Sequence, residues 1–89
     1  MKVIKVIYND KTDFINEIID KIKEKVIIER FTLEDYKQRK KAIPIMTRHG
    51  TNNVPLIVFE NENLEEFAAI WSEQYPDWEL EINKILKNE

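Results

Sequence analysis

The sequence has no cysteine, and among its 89 residues it holds one glycine, one histidine and one serine. Without cysteine there can be no disulfide framework, no thiolate metal site, no iron–sulfur cluster and no thiol nucleophile. The single glycine, Gly50, excludes a dinucleotide fingerprint and a P-loop, since both need several backbone positions free of a Cβ. Ser72 and His49 form the one available Ser/His pair, but Ser72 sits in no Gly-x-Ser-x-Gly elbow, so a hydrolase is not expected. His49 and the scattered carboxylates show no metal-ligand spacing. No metal and no cofactor are expected. Long apolar runs are missing too, and none approaches the roughly 20 residues that cross a bilayer. Met1-Lys2-Val3-Ile4 does not read as the start of a signal peptide. The expected compartment is therefore the cytoplasm, with no membrane partner.

What the chain does have is a balance of 43% hydrophobic and 35% charged residues, which suits a globular domain rather than a disordered segment. Its length suits one domain over residues 1–89, burying about 60–65% of the surface its unfolded chain exposes. The net charge of −3 conceals an asymmetry. Residues 1–49 carry 12 basic against 8 acidic side chains, whereas residues 50–89 carry 2 against 9. Such polarity can orient a molecule toward a charged partner.

Hydrophobic patterning supplies the elements. Lys2-Val3-Ile4-Lys5-Val6-Ile7-Tyr8 is a β-branched run and predicts a strand buried on both faces. Phe14, Ile15, Ile18, Ile19, Ile22 and Val26 then recur at helical spacing and predict an amphipathic helix over about residues 12–25. A second strand is expected at residues 26–31. Thr32 and Asp35 have capping-box spacing ahead of a helix that runs to about Lys41. Pro44 is expected to break or restart that helix, and Gly50 to close it in a left-handed conformation. Leu56-Ile57-Val58-Phe59 reads as a third strand. Residues 64–71 continue as its hairpin partner or, since Leu64, Phe67, Ala68 and Trp71 also fit the 3.6 period, residues 64–72 form a helix. Pro76 suits the first turn of a last helix carrying Trp78, Ile82, Ile85 and Leu86 on one face.

The predicted order is β-α-β-α-β-β-α, an α/β class in which a central mixed four-stranded sheet is flanked by helices. A parallel β-α-β unit crosses over right-handedly, so the first helix should cover one sheet face. This order resembles the thioredoxin-like superfamily in its minimal, glutaredoxin-sized form. The most specific local match is Arg48-His49-Gly50-Thr51-Asn52-Asn53-Val54-Pro55-Leu56-Ile57-Val58-Phe59, which is similar to the helix end, glycine cap, Val-Pro and apolar strand of thioredoxins. The resemblance implies a cis bond before Pro55, with the backbone of Val54 offered to an extended peptide or to glutathione. It also places a redox centre between the first strand and first helix. That segment here is Asn9-Asp10-Lys11-Thr12-Asp13-Phe14-Ile15-Asn16, without a sulfur atom. Thiol–disulfide exchange requires a thiolate that both attacks and leaves, so the redox activity does not carry over. Glutaredoxins also place a Gly-Gly after the fourth strand, where this chain has Trp71-Ser72-Glu73.

The functional expectation is a non-redox module that binds another protein or an extended peptide. Its expected surface comprises Asp10, Lys11, Thr12, Asp13, Asn53, Val54, Pro55, Trp71 and Ser72, with no catalytic residue. Two other readings stay open. One is a glutathione-binding or glutathione-transfer enzyme without a thiol centre. The other is a small phage or bacterial regulator that contacts nucleic acid or polymerase through Lys37, Arg39, Lys40, Lys41 and Arg48, an electrostatic patch beside His49. Against nucleic acid stands the acidic net charge. His49 is expected to hydrogen-bond helix carbonyls, and Glu60, Glu62, Glu65 and Glu66 to occupy a solvated turn and strand face. Trp71, Tyr75 and Trp78 supply aromatics of a size favoured at interfaces, although a small core needs at least one of them. The oligomeric state is left open.

Overall fold

A computed structural model describes residues 1–71 and 77–87. Strand β1 (Lys2–Tyr8) pairs in parallel with β2 (Val26–Thr32), and antiparallel with β3 (Leu56–Glu60). Strand β4 (Glu66–Trp71) completes the sheet in the order β2-β1-β3-β4. The alternative of a helix over residues 64–72 is thus corrected for residues 66–71, Ser72 lying outside the described residues: the cross-strand partner β3 overrides a period that local sequence leaves undecided. Central placement explains the composition of β1 and β3. Every residue of β3 is buried, and in β1 Val3, Ile4, Val6 and Ile7 are buried.

Helices cover both faces. Over one lie α1 (Ile15–Asp20) and α3 (Trp78–Lys87), whose Ile15, Ile19, Trp78, Ile82 and Leu86 pack on Ile4, Val6, Ile57, Phe59 and Ile70. Over the other lies α2 (Tyr36–Arg48), whose Ala42, Ile45 and Met46 pack on Ile7, Leu56 and Val58. Trp78 therefore belongs to the core, while Trp71 is half-buried beside the α2 layer. Tyr75 and Pro76, expected near the start of the last helix, lie outside the described residues.

Three boundaries differ from the sequence expectation. First, α1 is far shorter than residues 12–25. Residues Asp10–Thr12 form a separate 3-10 turn, and the helix closes with short i→i−3 bonds from Lys21 N–H to Ile18 and from Ile22 N–H to Ile19. Ile22 and Val26 still pack on the core, but from the loop and from β2, so the helical period ran on into other elements. Second, α2 is capped by Asp35, whose carboxylate accepts the Gln38 N–H at 3.0 Å. Thr32 instead ends β2, and its N–H donates to the Gln38 side chain at 2.9 Å. Third, Pro44 lies inside α2 without ending it. It sits on the exposed side, where water can solvate the carbonyl of Lys40 that loses its N–H partner. Gly50 then turns the chain at φ 64°, in the left-handed region.

Candidate functional site

Register gathers the loops named above at one end of the sheet. Ile7 is paired with Leu56, and Leu56 with Trp71. The segment leaving β1, the segment entering β3 and the last residue of β4 therefore meet there. Asp10, Lys11, Thr12 and Asp13 follow β1, while Asn53, Val54 and Pro55 lead into β3. Ser72, the remaining residue expected at this surface, lies outside the described residues.

Each loop is held by its own polar groups. Asn9 Oδ1 accepts the N–H groups of Lys11 and Thr12, both at 3.1 Å, and Thr12 Oγ1 returns the bond by accepting the Asn9 N–H at 2.9 Å. This reciprocal box caps the 3-10 turn Asp10–Thr12 that follows β1. Asn9 caps this 3-10 turn, whereas α1 itself has no side-chain cap. The Asp10 N–H donates to Glu34 Oε1 at 3.0 Å, and Leu33 N–H to the carbonyl of Tyr8 at 2.9 Å, which ties the segment after β2 to the same end. On the other side, the Asn53 N–H donates to Thr51 Oγ1 at 3.0 Å. The Val54–Pro55 bond is cis.

The resulting surface has a polar rim and an apolar floor. Asp10, Lys11 and Asp13 are exposed, Thr12 and Asn53 half-buried, and Pro55 buried. Val54 and Trp71 are half-buried and rest on the cluster of Ile7 and Leu56 under α2. Among the described residues, no hydrogen bond engages the N–H or the C=O of Val54. Both groups lie two residues ahead of the first residue of β3.

A second polar constellation lies at the opposite end, and the sequence reading missed it. Glu60 is 5% exposed and pairs with Lys5 at 2.9 Å. In register it faces Glu66, whose carboxylate receives the Arg48 guanidinium and His49 Nε2, the latter at 2.8 Å. Neither glutamate belongs to a solvated strand face. Two like charges directly opposite would repel, and three basic groups answer them. His49 departs likewise from its expected role: its backbone N–H bonds the carbonyl of Ile45, but its ring goes to β4. The available signal was two basic residues at a helix end beside acidic residues at the next strand turn. Of the basic patch, Arg48 is thus committed to Glu66, while Lys37, Arg39, Lys40 and Lys41 are exposed around the first two turns of α2.

No family model and no curated protein matches the sequence. Solved structures do. A thioredoxin from Thermus thermophilus superposes with a TM-score of 0.62 at 9% identity, over 98% of this chain and 72% of that one. A DsbH oxidoreductase gives 0.57 at 12% identity, over 99% and 71%. The chain has a thioredoxin-like fold. Identity at this level fixes the architecture alone. Within the thioredoxin-like fold of this chain, residues 9–16 form the capped turn and the start of α1, with no sulfur among them. Among the described residues no three His, Asp or Glu side chains come together to hold a metal ion, and no helix is long and apolar enough to cross a membrane.

Proposed function

We propose that this chain is a non-redox binding module that captures an extended segment of another protein at the loop end of its sheet. The observation that supports it best is the backbone of Val54, whose N–H and C=O have no partner among the described residues at the head of the central strand β3. An incoming strand would satisfy both groups by adding main-chain hydrogen bonds, with pockets beside it setting side-chain preference. Val54 and Trp71 offer the apolar floor for such a side chain, and Asp10 and Asp13 the charged rim. The turn and loop are already closed by their own hydrogen bonds, so little ordering entropy is lost on binding. The absence of cysteine removes thiol exchange from the possible activities of this surface.

The test is selection from a random peptide library, repeated with Val54→Asp, Asp13→Ala and Trp71→Ala. The expected result is a set of extended peptides whose capture falls in all three variants. Unchanged capture by all three would place binding elsewhere.

A further inference from the structure

The outward face of α2 breaks a rule of local helix stability, and among the described residues no ion pair compensates for it. Its 13 residues, Tyr36–Arg48, include five Lys or Arg and no Asp or Glu. Four of the cations, Lys37, Arg39, Lys40 and Lys41, crowd the first two turns, where the helix dipole is positive and disfavours them. Lys37 and Lys41 stand four residues apart, a spacing at which like charges repel. Among the described residues none of the four pairs with a carboxylate. The acids that immediately precede the helix in sequence are engaged elsewhere: Asp35 caps Gln38, and Glu34 accepts the N–H of Asp10. An arrangement that costs the helix stability with no carboxylate partner among the described residues points to a partner that supplies the missing charge.

We propose that this face docks an acidic, partly apolar segment of a partner protein. The apolar part follows from what lies among the cations. At 100° per residue, Tyr36, Lys40, Ile43 and Thr47 form one outward ridge, and Lys37, Lys41, Pro44 and Arg48 the next. Ile43 is 51% exposed and Pro44 is exposed beside it, so each ridge carries apolar surface next to its cations. A nucleic acid fits less well. The Tyr36 ring, the one aromatic of α2, carries Lys40 Nζ at 4.9 Å and the Arg39 guanidinium at 5.8 Å from its centroid, cations that compete with a stacking base. The whole chain is also negative, which opposes a long polyanion. This surface is independent of the Val54 loop, and failure of either leaves the other standing.

The experiment uses the full chain and fluorescence anisotropy of three labelled probes: a 15-residue repeat of Glu-Glu-Leu, an all-Glu peptide of equal length and a 15-nucleotide oligothymidine. The expected order of affinity is Glu-Glu-Leu, then all-Glu, then oligothymidine, with binding weakened by added salt. The triple variant Lys37→Ser/Lys40→Ser/Lys41→Ser should bind the first peptide at least about tenfold more weakly. Ile43→Ser should lower its affinity severalfold and leave that of the all-Glu peptide as it was. A charge-matched control, Lys21→Ser/Lys23→Ser/Lys25→Ser, changes three exposed lysines beyond α1 and should behave as the unaltered chain. Absence of binding at low salt, an equal loss in the control, or tighter binding of the oligothymidine would each overturn the proposal.

Discussion

His49 Nε2 lies 2.8 Å from Oε2 of Glu66, and this contact fastens the end of α2 to the first residue of β4. Arg48, one residue earlier, grips the same carboxylate. Across the strand Glu60 faces Glu66 and is held by Lys5. The end of the sheet away from the candidate peptide surface is thus closed by charge pairs, while the other end is closed by loop hydrogen bonds, one of them to the Glu34 carboxylate.

The Glu66 contact should make stability depend on pH. Burial pushes the Glu66 carboxyl up, but hydrogen bonds and charge from Arg48 and His49 outweigh burial and hold it below the usual carboxylate range. A depressed carboxyl contributes stability above its unfolded value, about 4.3, and loses it as pH falls through the folded one. Urea unfolding at pH 7 should show Glu66→Gln less stable by about 1 kcal/mol, as expected of a partly exposed pair. The two curves should converge as pH drops below the carboxylate range. A gap that stays constant with pH would contradict the assignment.

Lys5 and Glu60 test burial. Lys5→Met leaves the Glu60 carboxylate without its partner at 5% exposure, and should cost about 3 kcal/mol. The double variant Lys5→Met/Glu60→Leu removes both charges and should recover most of that loss. Chemical denaturation of the three proteins measures it, and a double variant no more stable than the single would count against a buried pair.

Two residues with positive φ should respond in opposite senses. Gly50 at φ 64° has open space where a Cβ would go, so Gly50→Ala carries only the backbone penalty, about 1 kcal/mol. Leu64 at φ 62° is 71% exposed and already bears that penalty. Leu64→Gly should therefore stabilise by several tenths of a kcal/mol or more. Thermal melts of both variants check the sign.

The strands were legible because β-branched runs leave little choice: residues 2–8 and 26–31 were read within a residue of β1 and β2. The short α1 was not, because Ile22 and Val26 keep a helical spacing after the helix has ended, and periodicity does not mark which element buries a residue. Pro44 misled for a related reason: its cost depends on whether the orphaned carbonyl meets water, which is a tertiary fact. At the candidate surface, Val54, Pro55 and the residues after β1 were legible through their place in the strand order. The pairing of Glu66 with His49 was not, since it joins residues 17 apart on different elements.

The central claim is capture of an extended peptide at the head of β3, and amide hydrogen exchange at Val54 tests it most directly. With a library-selected peptide near saturation, exchange of the Val54 N–H should slow on the order of tenfold or more, as it enters a strand-like hydrogen bond. Chemical shifts should change most at Asp10, Lys11, Thr12, Asp13, Asn53 and Trp71. A peptide that binds while Val54 exchanges at its free rate, with shifts confined to other faces of the sheet, would contradict the account.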